Sequence, residues 1–272
     1  MTSSFRGASA DAVATLTDEL GGAVSGSPET ATTVAGELFS VSQTLRTEGP
    51  LRRFVTDASL PTEAKTGLVG QVLGGKVSDA TLSVVRSAVS RRWTSAGDLP
   101  HALEHVGVVS AVKGAGDQAG RLSDELFGFA QTVKDTPELR DALSDPARTL
   151  EDKARLVHSL LDGRALPATV TLVVQSLAGT HRTVSVALAE YQKVAADARN
   201  QGVATVRVAR DLTDAERDRL ADALSRQYGR PVHLNLLVDP TVLGGLRVEI
   251  GDDVIDGTVS SRLDDARRRL AG

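Results

Sequence analysis

The sequence predicts a mainly α-helical protein that closes with a small α+β domain. A helical period runs through most of the chain: Val34, Leu38, Val41 and Leu45 share one face, as do Leu122, Leu126, Phe129 and Val133. The two stripes belong to an internal repeat, in which GELFSVSQTL at 36–45 lines up with DELFGFAQTV at 124–133, 88 positions on. Near the C-terminus the period changes to two. Val232, Leu234, Leu236 and Val238 point one way and His233 and Asn235 the other, as in a half-buried strand. The expected organisation is two tandem helical bundles, 1–112 and 113–201, followed by a β-α-β-β-β-α domain over 202–272.

The repeat extends without a gap. Leu51-Arg52 matches Leu139-Arg140, Glu63 and Lys65 match Glu151 and Lys153, Leu68-Val69 matches Leu156-Val157, and Gly75 matches Gly163. Agreement over about 58 positions reads as a duplicated domain, because a solenoid unit is shorter, ~20–50 residues. A leading helix is expected at 8–22, ahead of the first stripe. Pro61 and Thr149 mark the starts of the helices that carry Leu68, Val72, Leu73 and Leu156, Leu160, Leu161. Gly74-Gly75 and Gly163 stop them. Further helices follow at 79–93 and 166–179, then at 98–113 and 183–200, so each copy is a bundle of five or six short helices.

Asn200-Gln201-Gly202 breaks the last bundle helix, and Ala204, Val206 and Val208 alternate as a strand. Thr213 and Glu216 form a capping box for a helix with Leu220, Ala223 and Leu224 on its buried stripe, ended by Gly229. Asp239-Pro240 turns the chain into a strand carrying Leu246, Val248 and Ile250. Gly251 to Asp253 turns it again into Val254-Ile255. Gly245 permits close backbone approach or a bulge, and Gly251 a turn with positive φ. Asp256 can cap a closing helix whose inner face holds Val259, Leu263, Ala266 and Leu270. Arg262 and Asp265 lie on its opposite side, left for solvent or a partner.

Composition narrows the function. The 272 residues are 41% apolar, 24% charged and only 3% aromatic, which favours helices packed through small side chains. The net charge of −4 offers no electrostatic case for binding nucleic acid. The absence of cysteine excludes disulfides, thiol catalysis and Cys-type zinc sites. No apolar run approaches the ~20 residues of a membrane span, and MTSSFRGASADAV lacks the basic and apolar regions of a signal peptide. The expectation is an intracellular protein that meets a membrane only through partners.

Motifs for chemistry are weak. His101-Ala102-Leu103-Glu104-His105 matches the H-x-x-E-H pattern of inverted zinc proteases, and two histidines at i, i+4 share a helix face. The repeat-equivalent stretch, allowing a two-residue gap, is Ala187 to Tyr191 and has no histidine, so polar positions on a bundle helix are the better reading and no metal ligand is assigned. Gly114 to Gly120 has the wrong spacing and context for a dinucleotide loop and reads as a linker. No Walker A sequence occurs. Trp93 beside Arg91-Arg92 reads as core packing with solvated arginines, and His158, His181 and His233 as scattered. No catalytic residue and no cofactor are expected.

One long string is more specific. LVDPTVLGGLRVEIGDDVIDGTVSSRLDDARRRL resembles the C-terminal signature of the delta subunit of F-type ATP synthase, the bacterial counterpart of the oligomycin-sensitivity-conferring protein. The matching elements are Asp239, Gly244-Gly245, Gly251-Asp252, Val254-Ile255-Asp256-Gly257 and Arg262-Leu263. The usual family member is similar to the second bundle plus the tail, and the first copy resembles the enlarged actinobacterial form. The resemblance implies a non-catalytic subunit of a proton-translocating ATP synthase, part of the peripheral stalk that links the catalytic head to the membrane sector. It implies that a helical bundle receives N-terminal helices of the alpha subunits and that the C-terminal domain holds the b subunit. It also implies a peripheral position on the cytoplasmic face of the cell membrane. The competing reading is a soluble helical scaffold or regulator unrelated to the synthase.

Overall fold

The structure, a computed structural model, describes residues 5–24, 27–178, 180–242, 244–251 and 253–258. The chain divides into two compact units, 1–195 and 196–272. The architecture is mainly α-helical with a small four-stranded α+β unit toward the C-terminus.

The first unit is built of helices that obey the 88-residue offset. They run α1 Ala8–Ala23, α2 Pro28–Thr47, α3 Gly49–Thr56, α4 Thr62–Leu73, α5 Asp79–Ser90 and α6 Asp98–Ala115. The second copy continues with α7 Ala119–Asp135, α8 Pro137–Ser144, α9 Leu150–Leu161, α10 Pro167–Ser176 and α11 Val184–Ala198. The helices α8 and α9 occupy the same positions as α3 and α4 after the shift. Their ends have local causes. Ser78 and Thr149 accept a hydrogen bond from the amides of Thr81 and Asp152, and Pro137 and Pro167 sit in the first turns of α8 and α10. The short helices α3 and α8 were not anticipated. Eight residues give too few turns for a visible period, and Pro50 and Pro137 look like breaks rather than starts.

A duplicated carboxylate locks each copy. Glu37 on α2 accepts from the amide of Ser78 at 3.0 Å and from the Thr81 hydroxyl at 2.5 Å. At the shifted positions, Glu125 on α7 accepts from the amide of Leu166 at 2.8 Å and from the Thr169 hydroxyl. Each carboxylate meets donors at the start of a helix, α5 in the first copy and α10 in the second, where anions are favoured. Burial acts to raise the Glu37 carboxyl, but the hydrogen bonds from Ser78 and Thr81 together outweigh it and hold the group below its ordinary range.

The helix α6 belongs to both copies. Leu99 and Leu103 sit in the core of the first, at the positions that Ala187 and Tyr191 of α11 hold in the second. Val108 and Val112 sit in the second core, at the positions that Leu20 and Val24 hold in the first. A helix apolar on both sides is buried on both sides. On α1 the shifted equivalents of Leu99, Leu103 and Val106 are Asp11, Thr15 and Asp18, with both aspartates exposed. The open end of the array is therefore polar, as the terminal unit of a repeat protein must be. Phe39 of α2 also joins the second core. It packs so close to Gly107 that a Cβ there would lie 2.5 Å from its ring. The glycine-rich stretch expected as a linker is instead mostly helical. Gly114 lets α6 approach α2, where a Cβ would meet Thr32 Oγ1 at 2.7 Å, and Gly116, at φ +52°, bends the chain into α7.

The second unit contains β1 Gly202–Val208, α12 Asp214–Tyr228, β2 Val232–Val238, β3 Leu246–Ile250 and β4 Asp253–Asp256. The sheet order is β2-β1-β3-β4, with β1 and β2 parallel and the other pairs antiparallel. The parallel pair requires the crossover that α12 supplies. The capping box of Thr213 and Glu216 starts α12, and Gly229 at φ +68° ends it. Ala204, Val206, Val208, Leu224, Val232, Leu234, Val248 and Ile250 form the core. Asn235, expected on the solvent side of its strand, is only 3% exposed. The expected closing helix, with Leu263, Arg262 and Asp265, lies outside the described residues.

Candidate functional site

Within the first unit, α6, α11 and the segment before α11 line an open cavity of about 330 Å³. His101, Glu104, His105, His181, Tyr191 and Lys193 contribute to its lining. Helical spacing puts His101, Glu104, His105 and Val108 on neighbouring turns of α6. Glu104 turns inward and is 1% exposed. Its carboxylate accepts from the Arg46 guanidinium on α2, the Thr180 hydroxyl and the Tyr191 phenol on α11. Burial, reinforced by the Glu104 charge, drives the Tyr191 phenol far above its ordinary pKa, so it stays a donor.

The histidines form a chain of rings rather than a ligand set. Phe5 lies 4.7 Å from the His101 ring and 6.0 Å from that of His105. His181 lies 5.8 Å from His101 and 5.9 Å from Tyr191, edge to face in both cases. Burial lowers the His101 pKa, with Glu104 opposing and His181 and Arg46 assisting. Among the described residues, no group of three or more His, Cys, Asp or Glu is arranged to hold a metal ion. In H-x-x-E-H chemistry the glutamate would act as a general base. Here Glu104 is engaged by three donors, one of them a guanidinium, and so ties α6 to α2, to α11 and to the segment before α11. Sequence reasoning named Glu104 only as part of a discounted motif and Tyr191 only as its repeat counterpart, missed Arg46, Thr180 and the contact that joins all four, and treated His181 as scattered. One signal was available: Glu104 stands at the repeat position of Leu16, a charge in place of a buried leucine.

Trp93 donates its indole N–H to the Ala88 carbonyl at 2.9 Å and packs partly buried against the first core, while Arg91 pairs with Glu19 at 2.6 Å. Val186, on α11 at the rim of the cavity, is 48% exposed. In the first copy, α2 to α5 leave a small apolar hollow of about 40 Å³ whose lining includes Val41, Val55, Val72 and Val89.

The second unit holds the signature loop. Asp239 accepts from the Thr241 amide at 2.9 Å and hydroxyl at 2.6 Å, while its own amide donates to Val208 O at 2.8 Å. Asp256 repeats the device with Thr258, at 3.0 and 2.7 Å. These hydrogen bonds hold both carboxyls below the ordinary range. Gly244 and Gly245 take φ of +75° and +81°, and Gly251 takes +58°. At Gly245 a Cβ would lie 2.4 Å from the Gly257 carbonyl oxygen, and Gly257 N–H bonds to Leu246 O at 2.9 Å. The loop thus fastens the end of β4 back to the start of β3. Ile255 pairs with Val248 across those strands and is half-buried. Asp239, Gly244, Gly245, Gly251, Ile255, Asp256 and Gly257 are thereby placed: Ile255 lies within β4, and the others shape the turns and strand ends around it. Asp252, Arg262, Leu263 and Asp265 lie outside the described residues.

Comparison with known proteins adds an independent line. The family described as "ATP synthase delta (OSCP) subunit" matches residues 108–270. The "ATP synthase subunit delta" of a Nocardioides species is 57% identical over 99% of this chain and 98% of its own. That of Streptomyces coelicolor is 39% identical over 99% of both chains. Among solved structures, a chain of the Toxoplasma gondii mitochondrial ATP synthase hexamer is similar at 18% identity and a TM-score of 0.33, covering 61% of this chain and 96% of that one.

Proposed function

The chain belongs to the ATP synthase delta (OSCP) family, and from that premise we propose that its two ends hold different parts of the synthase. It is a non-catalytic component of the peripheral stalk in a multi-subunit ATP synthase. The full-length identity of 57% to a named delta subunit carries this conclusion. The physical task follows from rotary coupling. A rotor turning inside the catalytic head exerts torque on it, and a head free to co-rotate would dissipate that torque.

In the proposed division, the helical copies receive amphipathic N-terminal helices of the alpha subunits, and the α+β domain, 202–272, holds the b subunit of the stalk. The second copy, 113–201, corresponds to the family-typical bundle, and the first copy, 1–112, is the addition. Support comes from the division of the chain into one helical and one α+β unit. An Ala/Leu/Val-rich helical surface suits helix-in-groove docking. Arg262 and Asp265 are the proposed stalk contacts. Among the described residues no helix is long and apolar enough to cross a membrane. The proposed location, which rests on family membership, is peripheral, on the cytoplasmic face, reached through the complex.

Affinity purification of tagged chain from membranes tests the proposal. Co-purification of head and stalk subunits in fixed ratio is expected. Recovery of unrelated clients without either would favour the scaffold reading and overturn this one.

A further inference from the structure

The position of Glu104 is anomalous within the repeat. Shifted by 88 residues it coincides with Leu16, which is fully buried in the first core. A carboxylate in a leucine position is costly unless its oxygens are met by donors. The donors that meet it come from both copies. Arg46 belongs to α2 of the first, whereas Thr180 and the Tyr191 of α11 belong to the second. Arg46 is itself anchored, since it donates to Ser42 Oγ at 3.1 Å. That hydroxyl in turn donates to the Pro100 carbonyl at 2.7 Å.

Much of the surrounding contact between copies is apolar. Phe39 and Ala35 of α2 pack in one cluster with Val108, Ala111 and Val112 of α6 and with the residues of the second copy. Hydrophobic contact of this kind is non-directional. It draws the copies together and tolerates small rotations. A buried charge with three donors fixed on different elements accepts one placement, and a register role is the best-attested use of such groups. We propose that Glu104 is an orientation clasp, a positioning residue that sets the angle between the two helical copies so that they move as one rigid body. The inference stands on this chain alone and holds whichever partners its ends bind. It gives the first copy a mechanical meaning, as a stiff extension of the second.

The experiment uses the full chain, which has no cysteine of its own. Ala64→Cys on α4 and Ser159→Cys on α9, both exposed, give one spin-label pair across the joint. Double electron–electron resonance reads the distance distribution between copies. A single narrow distance is expected for the otherwise native chain, and nearly the same for Glu104→Gln, which keeps an acceptor oxygen. Glu104→Leu, which restores the residue found at Leu16, should broaden or shift the distribution while the far-ultraviolet circular dichroism stays native. Should that variant fail to fold, Tyr191→Phe with Thr180→Val removes only the second copy's donors and leaves the Arg46 pair; the same broadening is expected. An unchanged distribution in a folded Glu104→Leu protein, or in the double variant, overturns the clasp. A broad distribution in the native chain overturns it as well.

Discussion

Removal of α6 is the sharpest perturbation of the helical unit, because that helix serves two cores. A fragment starting at residue 115 lacks Val108, Ala111 and Val112, which are 0%, 2% and 3% exposed in the intact chain. Burial of a valine side chain contributes ~1.5–3 kcal/mol and of a methyl roughly 0.8, so the three together supply about 4–7 kcal/mol. That figure is an upper estimate, since the unfolded chain already hides some apolar surface. A whole domain is stable by only ~5–15 kcal/mol. The same cut leaves Tyr191 and Thr180 without the carboxylate they share. A fragment of 115–272 should therefore lose most of the stability of its helical part, while 98–272, which keeps α6, should melt cooperatively. Urea titration followed by circular dichroism at the helical band compares the two. Equal midpoints would refute the reasoning and make the second copy self-sufficient without α6.

Three further outcomes are expected. In the first copy, Val72→Leu places into the apolar hollow the residue that Leu160 provides in the second; one added methylene should stabilise by about 0.8 kcal/mol, read as a higher urea midpoint. For His101 the sign is fixed by burial: its folded pKa lies below the ordinary ~6.5, so the unfolded chain binds the proton first. The stability it protects is present above that value and lost as pH falls from it toward the folded pKa, and His101→Gln should flatten the loss between pH 7.5 and 5.5; an unchanged slope would contradict the assignment. Gly245→Ala should destabilise the second unit by ~1–3 kcal/mol, since it combines positive φ with a Cβ 2.4 Å from the Gly257 oxygen; a native melt would show the loop can open without cost.

Much of the fold was legible because its signals are periodic and duplicated. The 88-residue offset located α2, α4, α5 and α6 together with their second-copy partners. Alternation placed β1, β2 and β3, and the capping box of Thr213 and Glu216 fixed the start of α12. What escaped notice depends on three-dimensional neighbours. Glu37 and Glu125 recur at the shifted position, but their partners are 41 and 44 residues away and no local pattern connects them. Likewise, α6 looks like an ordinary closing helix until Val108 and Val112 are matched to α1 rather than α11. The proximity of Glu104 to Tyr191, 87 residues away, is invisible before the copies are packed. The signature string was legible as a family resemblance, while its physical content, two Asp–Thr turns and a glycine pressed on a carbonyl, required coordinates.

The central claim is that one end of the chain holds the head and the other the stalk. Truncation after Gly202 removes the α+β domain and leaves the helical unit entire. The direct measurement is reconstitution of stripped membranes with head and either full-length or truncated chain, scoring ATP hydrolysis and proton pumping together with co-sedimentation on a soluble stalk fragment. The account predicts that the truncated chain still binds the isolated head and fails to sediment with the stalk, so hydrolysis continues without pumping. A truncated chain that binds the stalk normally and has lost the head would contradict it.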